Sequence, residues 1–417
     1  MAKSTIKKII ILLINILLYV IYGNYYLPII ATSLIAYFFG KIVKNNKKFF
    51  IMFVAYLLIL MPLIFFKYIA SSFNFNILIP LGISYYTLAL LSYITDIYKD
   101  KYRPSKNIID FLIYSLYFPC LFIGPINRYD DFSKNIKNIS INKANIFNSL
   151  LKISLGLIKK FIIANKLSTI IFELSGNTSY NGLYVLFGCF IYSIYLYCDF
   201  SGGIDIVLGI SKIFNIDLVS NFDRPYLSES IKEFWRRWHI SLGTWLKDYV
   251  YIPLGGNRKG NIRTKINVII TFLVSGLWHG IHYVLWGIIN GILVAFNYKT
   301  KNKYLNICLT FIVISLLWVF FIYNDTLLSI KMFASIFNSG SFNIWNLGLN
   351  IVDYIIVMVF LLITIVYEMK NMVINNYLNK ISFNKKLILL LSILLLILLF
   401  GSYGLDVNSS NFVYGNF

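Results

Sequence analysis

Residues 221–260 read NFDRPYLSESIKEFWRRWHISLGTWLKDYVYIPLGGNRKG, and after a basic and apolar run residues 275–280 read SGLWHG. Between Asn221 and Gly280 the chain places four of its seven tryptophans and two of its three histidines, among many Arg and Lys, so any chemistry is to be sought here. Ser230-Ile-Lys-Glu233 has the spacing of a capping box: the Ser oxygen accepts a free backbone N–H, the Glu carboxylate answers in return, and a helix is expected to begin. Phe234, Trp235, Trp238, Leu242, Trp245 and Tyr249 then recur at helical spacing on one side. Glu233, Arg236, Arg237, Thr244 and Lys247 fall mainly on the other. An amphipathic helix rich in Trp and Arg suits a membrane interface better than a span across it. Pro253 and the Gly255-Gly256-Asn257 turn are expected to end it, and Arg258 to Lys265 form a basic loop.

Outward from that stretch the chain is apolar. Of its 417 residues 58% are hydrophobic and only 13% charged, which excludes an ordinary soluble globule. The net charge of +21 lies in short clusters between apolar runs, as loops facing an anionic leaflet would have it, so the bilayer is the expected partner and nucleic acid is not. A span takes about 20 apolar residues, fewer where it is re-entrant or shielded by protein. Candidates lie near 6–22, 26–43, 50–67, 77–97, 109–126, 148–165, 181–199, 203–215, 265–279, 281–298, 304–323, 351–368 and 385–402, the two around residue 200 reading as broken helices. The expected fold class is an all-α integral membrane protein with roughly 11 to 13 membrane segments in one domain over residues 1–417.

Lys7-Lys8 precede the first apolar run and no small-residue cleavage site follows it, so it reads as a first span. Short basic loops at Lys41 to Lys48, Lys99 to Lys106, Arg258 to Lys265 and Lys299 to Lys303 mark the cytoplasmic side by the positive-inside rule. The polar, weakly charged stretch from Asn324 to Asn346 suits the outer face. Cys120, Cys189, Cys198 and Cys308 show neither C-x-x-C spacing nor a histidine at metal-ligand distance, and read as buried thiols with no metal site. Asp96, Asp199 and Asp205 are ionisable residues inside apolar runs, and each needs a reason. Asp199-Phe-Ser-Gly-Gly-Ile-Asp205 sets two carboxylates around a glycine pair that can break a helix. Such carboxylates either hold an Arg or a backbone N–H at the break or bind a cation, and the structural role is the expected one.

NFDRPYLS, FWRRWHISL, WLKDYVYIPLGGN and GLWHG, in this order and at this spacing, resemble the signature of the membrane-bound O-acyltransferase family, above all its alginate and polysaccharide O-acetyltransferase branch. LGISYYTLALLSYITDIY (81–98), FPCLFIGPINRY (118–129), LIKKFIIANKL (157–167) and YCDFSGGIDIVLGI (197–210) agree, so the resemblance covers most of residues 81–291 and a short C-terminal motif within 403–417. It implies a ring of spans around a thinned centre, with re-entrant or interfacial helices. It also implies O-acyl transfer, acetyl from acetyl-CoA first, to an extracellular polysaccharide or cell-wall glycan. No bound cofactor is expected; the donor, acyl-CoA or an acyl-carrier protein, is a substrate from the cytosol.

His279 stands at the end of an apolar run, where desolvation disfavours the imidazolium and leaves a neutral base for a hydroxyl attacking a thioester. With the family pattern around it, His279 is the expected catalytic base. His239 resembles the family's other recurrent polar position, and His282, three residues past His279 on the same helical face, reads as structural. Related acetyltransferases commonly continue LWG-x-x-HG, whereas here Asn290 stands at the last histidine. Arg236 and Arg237 are the expected docking pair for a polyanionic donor, with Trp238, Trp278 and Asn290 beside them as substrate contacts. At the C-terminus, Phe412-x-Tyr414-x-x-Phe417 resembles the family's aromatic ending, with Tyr414 as an acyl relay to an exported esterase-like (SGNH-type) partner. The near alternative is D-alanyl transfer from a carrier protein toward teichoic acid. A transporter or flippase, which would need broken helices or carboxylates in related halves, is the alternative of another class.

Overall fold

The apolar runs fold as helices. A computed structural model describes residues 2–22, 26–70, 73, 79–137, 139–141 and 143–403, and the one β-pairing among them is an isolated antiparallel bridge between Phe222 and Trp238. The described residues fall into two compact units, one within 1–146 and 210–220, the other within 147–209 and from 221 onward.

The first unit is built from α1 (Ala2–Tyr22), α2 (Leu27–Asn46), α3 (Phe49–Ile64, carried on by a π-helical turn to Ile69), α4 (Ile83–Tyr98), α5 (Ile108–Ser115), α6 (Phe118–Ile123) and α7 (Tyr129–Lys137). α4 is buried along nearly its whole length and packs on α2 and α3. The single span expected over 109–126 is two short helices, because Tyr117 is extended ahead of Pro119, which sits in the first turn of α6. Asn15 accepts the freed Phe118 N–H through Oδ1 at 3.2 Å. Buried Asp96 is held by Lys101 at 2.8 Å.

The second unit takes most of α8 (Lys143–Leu157), which runs without a break through a π-helical stretch (Ile158–Ala164) into α9 (Asn165–Gly176), and most of α10 (Leu183–Ile213). The break expected around Gly202-Gly203 does not occur: α10 is one helix of 31 residues. Its glycine serves close approach instead. A Cβ on Gly156 would lie 2.5 Å from the Gly202 carbonyl oxygen, and one on Gly202 would lie 2.8 Å from that of Gly156. After it come α11 (Ile231–Arg237), α12 (Ile240–Leu246, extended by a π turn to Tyr251), α13 (Gly260–His279), α14 (Val284–Ala295), α15 (Lys303–Leu317), α16 (Val319–Ile322), α17 (Thr326–Ser335), α18 (Ile351–Lys380) and α19 (Phe383–Phe400).

Among the described residues six helices are long and apolar enough to cross a membrane: Leu27–Asn46, Phe49–Ile69, Leu183–Ile213, Lys303–Ile322, Ile351–Lys380 and Phe383–Phe400. On α19, Leu391, Leu395, Leu398 and Leu399 are all more than half exposed, an apolar face that lipid covers and water would not. The chain is a multi-pass, all-α membrane protein. Three of its four cysteines are buried as expected, whereas Cys308 lies exposed on the span α15.

Candidate active site

The continuous amphipathic helix expected across 234–249 is interrupted. Its start is as read: Ser230 Oγ accepts the Glu233 N–H at 3.2 Å, and Glu233 Oε2 accepts the N–H of Glu229, one residue earlier than a standard box, at 3.0 Å. α11 then stops at Arg237, and His239 takes a left-handed conformation with φ 46°. The segment just upstream supplies the hydrogen bonds that a helix would have made. Asn221 accepts the Ile240 N–H on its carbonyl oxygen at 3.0 Å and the Ser241 N–H on Oδ1 at 3.1 Å, while the Asp223 N–H donates to the Arg237 carbonyl at 3.0 Å. The break buries Trp238 and His239 together, at 1% and 3% exposure.

His279 is the last residue of α13 and is 4% exposed. Gly280 follows with φ 145°, which favours glycine, and turns the chain at once. His282, expected on the same helical face, is therefore exposed on a separate 3₁₀ turn. The His279 ring lies edge-on to Trp278 (4.8 Å between centroids), Trp286 (5.6 Å), Phe321 (5.6 Å) and Tyr283 (6.2 Å). Trp278 in turn meets the ring of His239 at 6.1 Å, and Phe200 closes the other side of His239 at 4.9 Å. The two histidines, forty residues apart in sequence, thus flank one indole.

Burial lowers the pKa of His239 from its ordinary 6.5 to about 3. The unfolded chain takes up this proton below 6.5 and the folded chain does not until about 3, so stability present above 6.5 is lost as the pH falls through that window. Taking the protein from about pH 7 to about pH 5 is expected to cost about 2 kcal/mol at this residue alone. Asn tolerates the left-handed backbone and does not titrate there, so His239→Asn should show a smaller acid shift in thermal midpoint. Equal shifts in both proteins would contradict this.

Asn290 ties the aromatic cluster together. Its Oδ1 accepts Trp235 Nε1–H at 3.0 Å and its Nδ2 donates to the Trp286 carbonyl at 2.9 Å. Trp238 lies inside that cluster, stacked on Phe234 at 5.4 Å and tilted against Trp318 at 5.4 Å. Of the arginine pair, Arg236 is exposed, whereas Arg237 is held by Glu233 at 2.6 Å. Tyr414 lies outside the described residues, with the rest of 404–417.

Among the described residues, Asp199 and Asp205 pair with lysines in place of the arginine or backbone N–H expected. Lys160 holds Asp199. Lys159 lies between Asp205 at 2.8 Å and Glu368 at 2.5 Å, and Lys152 reaches Asp205 at 3.2 Å. Tyr197 donates to Glu368 Oε2 at 2.7 Å, and its ring packs on Phe222 and Trp238 at the helix break. Lys159 and Lys160 stand in LIKKFIIANKL, a stretch that does not by itself reveal the carboxylates they meet. Glu368 is the lone glutamate of its run, and an acid in a span was the available signal.

The pattern described as MBOAT, membrane-bound O-acyltransferase family, matches residues 99–342, more than half of the chain and the whole of the segment that carries both histidines. The chain belongs to the membrane-bound O-acyltransferase family. Within it, the chain is 35% identical over 285 residues to a Pseudomonas syringae pv. tomato protein named Probable alginate O-acetylase AlgI, covering 66% of this chain and 54% of that one. It is 35% identical over 286 residues to the Peptidoglycan O-acetyltransferase of Helicobacter pylori, covering 59% and 54%. With the Teichoic acid D-alanyltransferase of Bacillus subtilis it shares 31% over 245 residues, covering 55% and 62%. The chain therefore spans little more than half the length of the curated relatives it matches.

Proposed function

We propose that this protein is a membrane-bound O-acyltransferase that passes an acetyl group from acetyl-CoA toward a hydroxyl of an extracellular polysaccharide or cell-wall glycan. The observation that carries the reading is His279, buried against Trp278, Trp286, Tyr283 and Phe321 inside the stretch that matches the family. His279 takes the proton of the attacking hydroxyl as its oxygen bonds to the thioester carbonyl carbon; the C–S bond breaks and the thiol leaves with a proton. Trp278 separates His279 from His239 and walls the acyl group, and His239 orients the acceptor. Tyr414 is proposed as the first acceptor: its phenol oxygen forms an aryl ester, which an exported esterase-like partner then takes up, releasing the phenol. That an acyl group is handed on without its carrier follows from the size and charge of the carrier.

The identity to two O-acetyltransferases favours acetyl over D-alanyl, and the Teichoic acid D-alanyltransferase relative keeps a carrier-protein thioester as the second reading. The test gives the purified full-length protein, in proteoliposomes, acetyl-CoA or a D-alanyl carrier-protein thioester and follows thiol release. Consumption of acetyl-CoA is expected; exclusive use of the D-alanyl thioester, or of neither, would overturn the acetyl reading. In the same assay Arg236→Ala should raise the donor KM several-fold with kcat kept, because exposed Arg236 meets the donor phosphates by charge-assisted hydrogen bonds. An unchanged KM would make Arg236 an interfacial anchor only.

A further inference from the structure

Away from the histidines, the first unit carries a cleft of about 510 Å³ lined by Lys41, Lys44, Arg103, Pro104, Ser105 and Lys106. Four of these six residues are cationic, and nothing in the acyl-transfer chemistry uses them. Their loop is fixed in place. The Ser105 N–H donates to Tyr93 OH at 2.9 Å, and Tyr37 OH donates to the Lys106 carbonyl at 3.2 Å. Lys41 Nζ donates to Tyr37 OH at 2.9 Å and lies 4.1 Å from the centre of that ring, which holds its charge at the cleft wall. Asp100 is shared by Lys44, at 2.5 Å, and Lys47, so one carboxylate meets two lysines and the cleft stays strongly positive. Arg103 and Lys106 are exposed.

The surroundings distinguish this cleft from an ordinary basic loop. On the span α2, Phe38, three residues before Lys41, is 54% exposed and Ile42, the residue after it, is 41% exposed, and at the start of α3 Phe49 and Phe50 are 65% and 71% exposed. Cations at the end of a span, with bare apolar side chains beside them, present a phosphate seat joined to an acyl-chain seat. We propose that this cleft binds the phosphodiester headgroup of an anionic phospholipid, Arg103 and Lys106 gripping the phosphate over Lys41 while the acyl chains lie along Phe38 and Ile42. The site does not depend on the acyl-transfer reading.

The test is native mass spectrometry of the full-length protein in detergent with added phosphatidylglycerol, phosphatidylcholine serving as the zwitterionic comparator. Wild type should retain phosphatidylglycerol preferentially, and Arg103→Gln with Lys106→Gln should lower that retention about thirtyfold. Both side chains are exposed, so the variant should fold, which its thermal midpoint checks. Lys301→Gln with Lys385→Gln, a pair of exposed lysines elsewhere, should leave retention unchanged. Three results would overturn the site: no preference in wild type, an equal loss in the control pair, or displacement of the lipid by inorganic phosphate or coenzyme A, which would assign the cleft to a soluble phosphate.

Discussion

Lys159→Met is expected to destabilise the protein by about 3–5 kcal/mol, the usual cost of removing one partner from a buried ion cluster. Lys159 is 5% exposed and touches Asp205 and Glu368 at once, so methionine, close to it in length, fills the space and leaves two carboxylates facing each other. Lys152 also reaches Asp205, but it is half-buried and, among the described residues, pairs with Asp205 and not with Glu368, so it does not compensate for both. The damage should reach the site, because Tyr197 is held by Glu368 and packs against Trp238, the residue before His239. A thermal midpoint measured in detergent should fall steeply for Lys159→Met and much less for Lys159→Arg. A wild-type midpoint in Lys159→Met would show that the cluster is dispensable.

His279→Ala should lower O-acylation about 10²–10⁴-fold while the protein remains inserted and folded, since a positioned general base supplies about that factor. The substitution removes the imidazole from a pocket walled by Trp278, Tyr283, Trp286 and Phe321, and these rings keep one another in place through Trp286–Phe321 at 5.0 Å and Tyr283–Phe321 at 4.4 Å. Loss of activity without loss of fold is therefore the expected combination. Near-wild-type acylation in a well-expressed variant would remove His279 from the chemistry.

Much of this was legible in the sequence because it rests on local signals. Apolar runs of span length gave α2, α3, α15 and α19 within a few residues and the start of α18, which runs on to Lys380, and Ser230-x-x-Glu233 gave the start of α11. Two features went astray for physical reasons. The helix break at Trp238–His239 is imposed by Asn221 and Asp223, whose backbone partners lie 14 to 20 residues away and leave no periodic trace. Conversely, Gly202-Gly203 resembled a break, yet glycine also allows close helix packing, and only the position of Gly156 decides between the two. The partners of Asp199 and Asp205 were equally invisible: Lys160 and Lys159 are 39 and 46 residues from them, and Glu368 lies farther still. The pairing of His239 with His279 across Trp278 could be suspected from composition, but its geometry required the turn at Gly280.

The central claim is that His279 drives transfer from a thioester to oxygen. The most direct measurement is thiol release by the purified full-length protein in proteoliposomes, wild type against His279→Ala, at matched protein and saturating acetyl-CoA, with the oxygen ester quantified alongside. The account predicts one ester formed for each thiol released by wild type, and release at the uncatalysed background in the variant. Equal rates of release and ester formation in the two proteins would contradict it.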